Sequence, residues 1–213
     1  KKVGVGYQAG QYDVSGSEST MVGYVAGRYA TGSFNTFVGS QAGEGRAGTP
    51  YSSGQNNIAI GYQALTAFTT ANENTVIGNQ AGDAITTSNY NTLIGNTAGG
   101  AMTGGDGQNV VIGRGAGDSA TTAMAKCVYI GADAGGQMDA GGFNTAVGFA
   151  SMEGASTGND ATYNTALGYH SLLAITTGDY NVAIGSGAGN ALTSGNYNVL
   201  LEMLQHFLME ILL

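Results

Sequence analysis

Apolar positions in this chain come in short triplets, and the triplets return at a nearly fixed interval. Each ends on an aliphatic residue followed by glycine, as in Thr75-Val76-Ile77-Gly78. With that glycine as anchor, eleven copies line up at Gly6, Gly23, Gly39, Gly61, Gly78, Gly95, Gly113, Gly131, Gly148, Gly168 and Gly185. Their spacings are 17, 16, 22, 17, 17, 18, 18, 17, 20 and 17 residues. The residue before the anchor is always aliphatic and the residue two earlier is Val, Ile or Thr, while the one between varies from Ala59 to Phe37. This period of two predicts one short β-strand per repeat, its β-branched side chains turned to one core and the intervening residue to another surface.

Three residues past the anchor stands Ala or Ser in every copy, with Gly next in eight of eleven, and a polar Thr, Ser and Gly stretch leads to the next triplet. Small residues let layers approach closely and the polar stretch supplies turns. Self-similarity at this period predicts an all-β parallel β-solenoid of about eleven coils of about 17 residues, a rod roughly 50 Å long. Four positions before the anchor lies a column of asparagines: Asn35, Asn57, Asn74, Asn91, Asn109, Asn144, Asn164, Asn181 and Asn198. Stacked in register, their amides bond from coil to coil, a structural ladder. Cys127 falls in the same column and reads as a substitute rung rather than a nucleophile or metal ligand.

Composition narrows the function. Of 213 residues 38 are glycine, which a helix or an ordinary sheet would not tolerate, and six Lys and Arg against 14 Asp and Glu leave a net charge of −8. The cations never cluster, so no basic stripe for nucleic acid exists. The longest apolar run, within Asn198–Leu213, is broken by Glu202, Gln205, His206 and Glu210, so no membrane insertion is expected. Cys127 has no partner for a disulfide. The chain opens mid-pattern at Lys1-Lys2-Val3-Gly4-Val5-Gly6, as expected of a piece of a longer protein.

Catalytic and metal constellations are not found in the pattern. His170 sits in a turn position of one repeat, Gly113-Arg114-Gly115-Ala116-Gly117 is another repeat copy rather than a phosphate loop, and Asp106 lacks matching acids in neighbouring coils. The expectation is a non-enzyme without cofactor or metal. Two aromatic columns offer binding surfaces as well as packing: Phe34, Tyr90, Phe143, Tyr163, Tyr180 and Tyr197, and Tyr7, Tyr24, Tyr62, Phe149 and Tyr169. A threonine column (Thr69, Thr86, Thr103, Thr121, Thr176, Thr193) raises an ice-binding alternative. The two long coils insert Glu44–Gln55, with Arg46 and Tyr51, and Glu153–Thr162; loops on rigid scaffolds carry recognition. Arg46, Tyr51, Tyr163, Tyr180 and Tyr197 are therefore the candidate ligand contacts.

Asn56-Asn57-Ile58-Ala59-Ile60-Gly61 and Tyr180-Asn181-Val182-Ala183-Ile184-Gly185 resemble the Asn-Ser-Val-Ala-Ile-Gly repeat of YadA-like trimeric autotransporter adhesin heads, with related repeats in phage tail fibres. The resemblance covers residues 1–201. It implies a left-handed β-roll, a homotrimer, and a place outside the cell, on a cell surface or a virion, where the segment attaches to a glycan or protein receptor. The coil here is longer than in those heads. The alternative fold is a single-chain left-handed β-helix of the acyltransferase kind, but aliphatic residues fail to recur at six-residue steps. Residues 202–213 leave the repeat. They read as a short amphipathic helix (Leu200, Leu204, Phe207, Ile211) or as the product of a one-base frameshift at Leu201, since a shifted frame turns Glu202 into the glycine due there.

Overall fold

The computed structural model describes residues 1–120, 124–154 and 159–202. It is a β-solenoid: twelve three-residue strands, from β1 (Val3–Val5) to β12 (Val199–Leu201), form one parallel sheet in strict sequence order. Every strand pairs with the next in the same register, so that Val76 lies beside Leu93 and Leu93 beside Val111. Each coil gives the sheet one strand and closes through turns. The turns are hydrogen-bonded between coils too, as in Gly27 N–H to Ala42 O at 3.0 Å and Thr86 N–H to Thr103 O at 2.8 Å. The backbone is thus paired coil to coil on the turn sides as well as in the sheet.

The anchor glycines are dictated by this stacking. Gly95 has φ 144°, and a Cβ there would sit 2.3 Å from the carbonyl oxygen of Gly113 in the next coil. No side chain fits between backbones that close.

The two faces of the strands are distributed differently from the sequence expectation. The intervening residue does not face an outer surface: Phe37, Ala59, Val76, Leu93, Val111 and Tyr129 are wholly buried inside their coils. They pack there with the small residue after the anchor and with an apolar residue seven after it, such as Phe68, Ile85, Met102 or Ile175, which the repeat reading did not single out. The β-branched and aliphatic columns point outward instead and are partly exposed, intermediate in most interior strands and reaching 47% at Leu167, with higher values only in the terminal strands.

Core volume is balanced within most coils. In three of the four coils whose mid-strand residue is alanine (Ala59, Ala146, Ala166), the position after the small residue holds Leu65, Met152 or Leu172, all buried; in the fourth, Ala183 is matched by Gly189, and Leu200 and Leu172 of the adjacent coils fill the space. Where the mid-strand residue is large, that position is glycine: a Cβ on Gly43 would lie 2.5 Å from the Phe37 ring, and one on Gly135 would lie 2.5 Å from Tyr129. The cavity has a fixed size and the two positions share it. Leu65, Met152 and Leu172 keep the left-handed backbone of the glycines they replace, with φ of 53°, 51° and 48°.

The long coil between Gly39 and Gly61 bulges outward and rejoins the stack at a bridge between Ala30 and Ser52. The coil after Gly148 rejoins at a bridge between Met138 and Asn159; residues 155–158 of its insertion lie outside the described residues. At the carboxyl end the register holds through Glu202, whose N–H donates to Ile184 O at 3.0 Å as an anchor glycine would. Leu200, the first residue of the expected amphipathic helix, lies in β12 instead; the rest of the helix and frameshift readings falls on 203–213, outside the described residues.

Candidate functional site

Three features stand out on this scaffold: an internal amide ladder, a loop groove with stacked aromatic columns, and the outward face of the sheet.

The asparagines that precede the strands form the ladder. Asn74 Oδ1 accepts both the backbone N–H of Asn91 at 3.0 Å and its Nδ2 at 2.9 Å, and Asn74 in turn gives the same two bonds to Asn57. The second Nδ2 hydrogen of Asn74 goes to Ser88 O at 3.0 Å. Buried amides thus find partners throughout, which offsets their desolvation. Asn35, Asn57, Asn74, Asn91 and Asn109 make one run; Asn144, Asn164, Asn181 and Asn198 make another.

Cys127 separates the runs. Its N–H donates to Asn109 Oδ1 at 2.9 Å, but its sulfur offers no amide oxygen to Asn144, and Sγ points to the carbonyls of Ala125 and Gly141 at 3.5 and 3.4 Å. Burial raises the thiol pKa, so Cys127 has none of the marks of a reactive thiolate. Beside it lies Tyr129, wholly buried, whose hydroxyl has no hydrogen-bond partner among the described residues. Burial first, then the Cys127 sulfur, hold this phenol well above its ordinary pKa.

A second ladder, missed by the sequence reading, runs six residues before the anchors with the opposite polarity. Here the side chain of the later coil accepts from the backbone of the earlier one: Gln55 N–H to Asn72 Oδ1 at 2.8 Å, Asn72 N–H to Asn89 Oδ1 at 2.7 Å, Thr162 N–H to Asp179 Oδ1 at 2.7 Å.

The Glu44–Gln55 insertion shapes a groove of about 570 Å³, lined by Arg46, Gly48, Pro50, Tyr51, Thr69 and Thr70. Arg46 is exposed and, among the described residues, has no acidic partner. Tyr51 joins Tyr12 and Tyr29 in a three-ring cluster with centroids 5.1 to 5.9 Å apart, and Arg28 lies over the Tyr29 ring at 4.8 Å. The groove combines an unpaired cation, a ring and hydroxyls, the chemistry that orients a polar or anionic ligand. It lies far along the chain from Tyr163, Tyr180 and Tyr197, so the five candidate contacts do not form one site.

Those three tyrosines continue from Phe143 as a single stack, with centroids at 4.7, 4.8 and 5.1 Å and planes within 4° of parallel. Lys126 Nζ caps the Phe143 end at 5.1 Å. Each interior ring spends its faces on its neighbours and shows solvent only its edges, so the column is not a row of open platforms for sugar rings. The second aromatic column is stacked more loosely, Tyr7 on Tyr24 at 5.4 Å and Phe149 on Tyr169 at 5.7 Å. His170 lies on Tyr169 at 3.8 Å.

Three of the threonine hydroxyls turn along the stack to the next coil. Thr69, Thr86 and Thr176 donate to the carbonyls of Thr86, Thr103 and Thr193 at 2.9, 2.7 and 2.9 Å. Their donors are therefore spent on protein rather than on ordered water. Thr121 lies outside the described residues.

The outward face of the sheet carries two columns, from Val3 and Val5 to Val199 and Leu201, without a charged residue in any of the twelve strands. Eleven strand steps make it about 50 Å long, on the order of 500–600 Å² of Val, Ile, Leu and Thr, the upper end of what a monomer ordinarily exposes.

Comparison with family models, curated proteins and solved structures finds no match. Fold and surface together define a β-solenoid repeat protein with an uncharged sheet face.

Proposed function

We propose that the chain is a segment of an extracellular attachment fibre, on a cell surface or a virion, in which copies pack through the outward sheet face and the inserted loops meet a receptor. The observation that carries this reading is the uncharged aliphatic stripe on a molecule of net charge −8, with Ile184 at 42% and Leu167 at 47% exposure. Left in water, such a stripe costs free energy along its whole length, and a second copy offers an identical repeat to cover it. The resemblance to trimeric adhesin heads supports three copies. The groove at Arg46 and Tyr51, away from that face in sequence and built on an insertion, suits a cell-surface glycan or an acidic protein epitope.

Sedimentation equilibrium tests the assembly: the wild-type chain is expected to sediment as a trimer, and Ile94→Glu with Ile112→Glu as a monomer with an unchanged β circular-dichroism spectrum. A wild-type monomer at micromolar concentration refutes the reading. Glycan-array binding lost in Arg46→Ala with Tyr51→Ala, while the trimer persists, tests the attachment surface separately.

A further inference from the structure

We infer that Tyr163, Tyr180 and Tyr197 form an oxidative coupling site, at which a one-electron oxidant of the peroxidase–peroxide class joins neighbouring coils of one chain through dityrosine bonds. The ring centroids are 4.8 and 5.1 Å apart and the planes lie within 4° and 3° of parallel. These separations match the strand-to-strand repeat of about 4.8 Å, so successive rings are related by translation along the stack and like carbon faces like carbon. All three are exposed, at 46%, 45% and 76%, so an oxidant reaches them and the side chains have room to tilt. The column places Glu73 and Gln108 in the coils before and after Tyr90, which leaves that equally exposed ring without a coupling partner.

In the coupling, each phenol gives up one electron and its hydroxyl proton to become a phenoxyl radical with spin at the carbons ortho to oxygen. Two radicals form one carbon–carbon bond between ortho positions. The two displaced ring hydrogens move to the oxygens and restore both phenols. Two tyrosines and one hydrogen peroxide thus give one dityrosine and two waters, the haem peroxidase passing the two electrons one at a time. A staple of this kind ties residues 17 apart and fixes one coil to the next. The inference rests on the stack within one chain and not on the attachment reading.

Treatment of the folded protein with horseradish peroxidase and hydrogen peroxide tests it. Cleavage before aspartate separates Tyr163, in the peptide beginning at Asp160, from Tyr180, in the peptide beginning at Asp179. The expected result is a chain of unchanged mobility on a denaturing gel, dityrosine fluorescence, and a linked pair of these peptides lighter by two hydrogens, with Tyr163 and Tyr180 as the joined residues. Tyr180→Phe keeps the stack and loses the pair completely, while Tyr90→Phe leaves its yield unchanged. Absence of the pair in the wild type, its persistence in Tyr180→Phe, or a yield that rises with protein concentration overturns the inference.

Discussion

Cys127 sits where nine other coils place an asparagine, and the cost falls on Asn144, whose backbone N–H faces sulfur instead of an amide oxygen. Cys127→Asn is expected to join the two ladder runs and to raise stability by about 1 kcal/mol, the worth of a buried hydrogen bond gained. Urea-denaturation midpoints read this directly, and a lower midpoint would show that Tyr129 leaves no room for the amide. Tyr129 itself ties stability to alkaline pH. Its folded pKa is raised well above 10.0, so the stability tied to its un-ionised form is complete below the unfolded value and is lost as pH climbs past it. Thermal melting is therefore expected to fall steeply above about pH 10, and Tyr129→Phe to flatten that fall. The asparagine column was legible in the sequence because the same side chain, donating and accepting at each rung, recurs in nine of the coils. The opposite ladder was not, because Asn72, Asn89 and Asp179 share only an acceptor oxygen, which several residue types supply.

Each strand is only three residues long, too short to stand alone, and holds its place because the same triplet lies above and below it. The triplets were legible from their alternation, but alternation cannot say which side is inside. The size of the mid-strand residue varied so much that it read as a surface position. The structure shows that Phe37 and Ala59 vary because Gly43 and Leu65 vary against them. Ala166→Leu is expected to cost about 2 kcal/mol by overfilling the coil against Leu172, and Leu172→Gly in the same chain to recover most of it. Chemical denaturation of both singles and the double gives the coupling, and additive effects would show that the two positions do not share a cavity. Leu172 already has φ 48°, so glycine enters without backbone rearrangement.

At the scale of the molecule, the period of the anchors was enough to specify a single parallel stack, since glycines that touch backbone to backbone leave few other arrangements. The insertions at Arg46 and Tyr51 were visible as breaks in that period. How the tyrosine rings meet was not visible, because a column in the sequence says which residues are neighbours but not whether they offer faces or edges. The strands run across the long axis, so a pull along that axis loads the rows of hydrogen bonds one after another rather than together. A coil of 17 residues that lets go pays out about 50 Å of slack while the coils behind it stay folded. A tether of this build yields by reeling out its own length, absorbing a sudden tug in small instalments before any anchorage at its ends is torn loose.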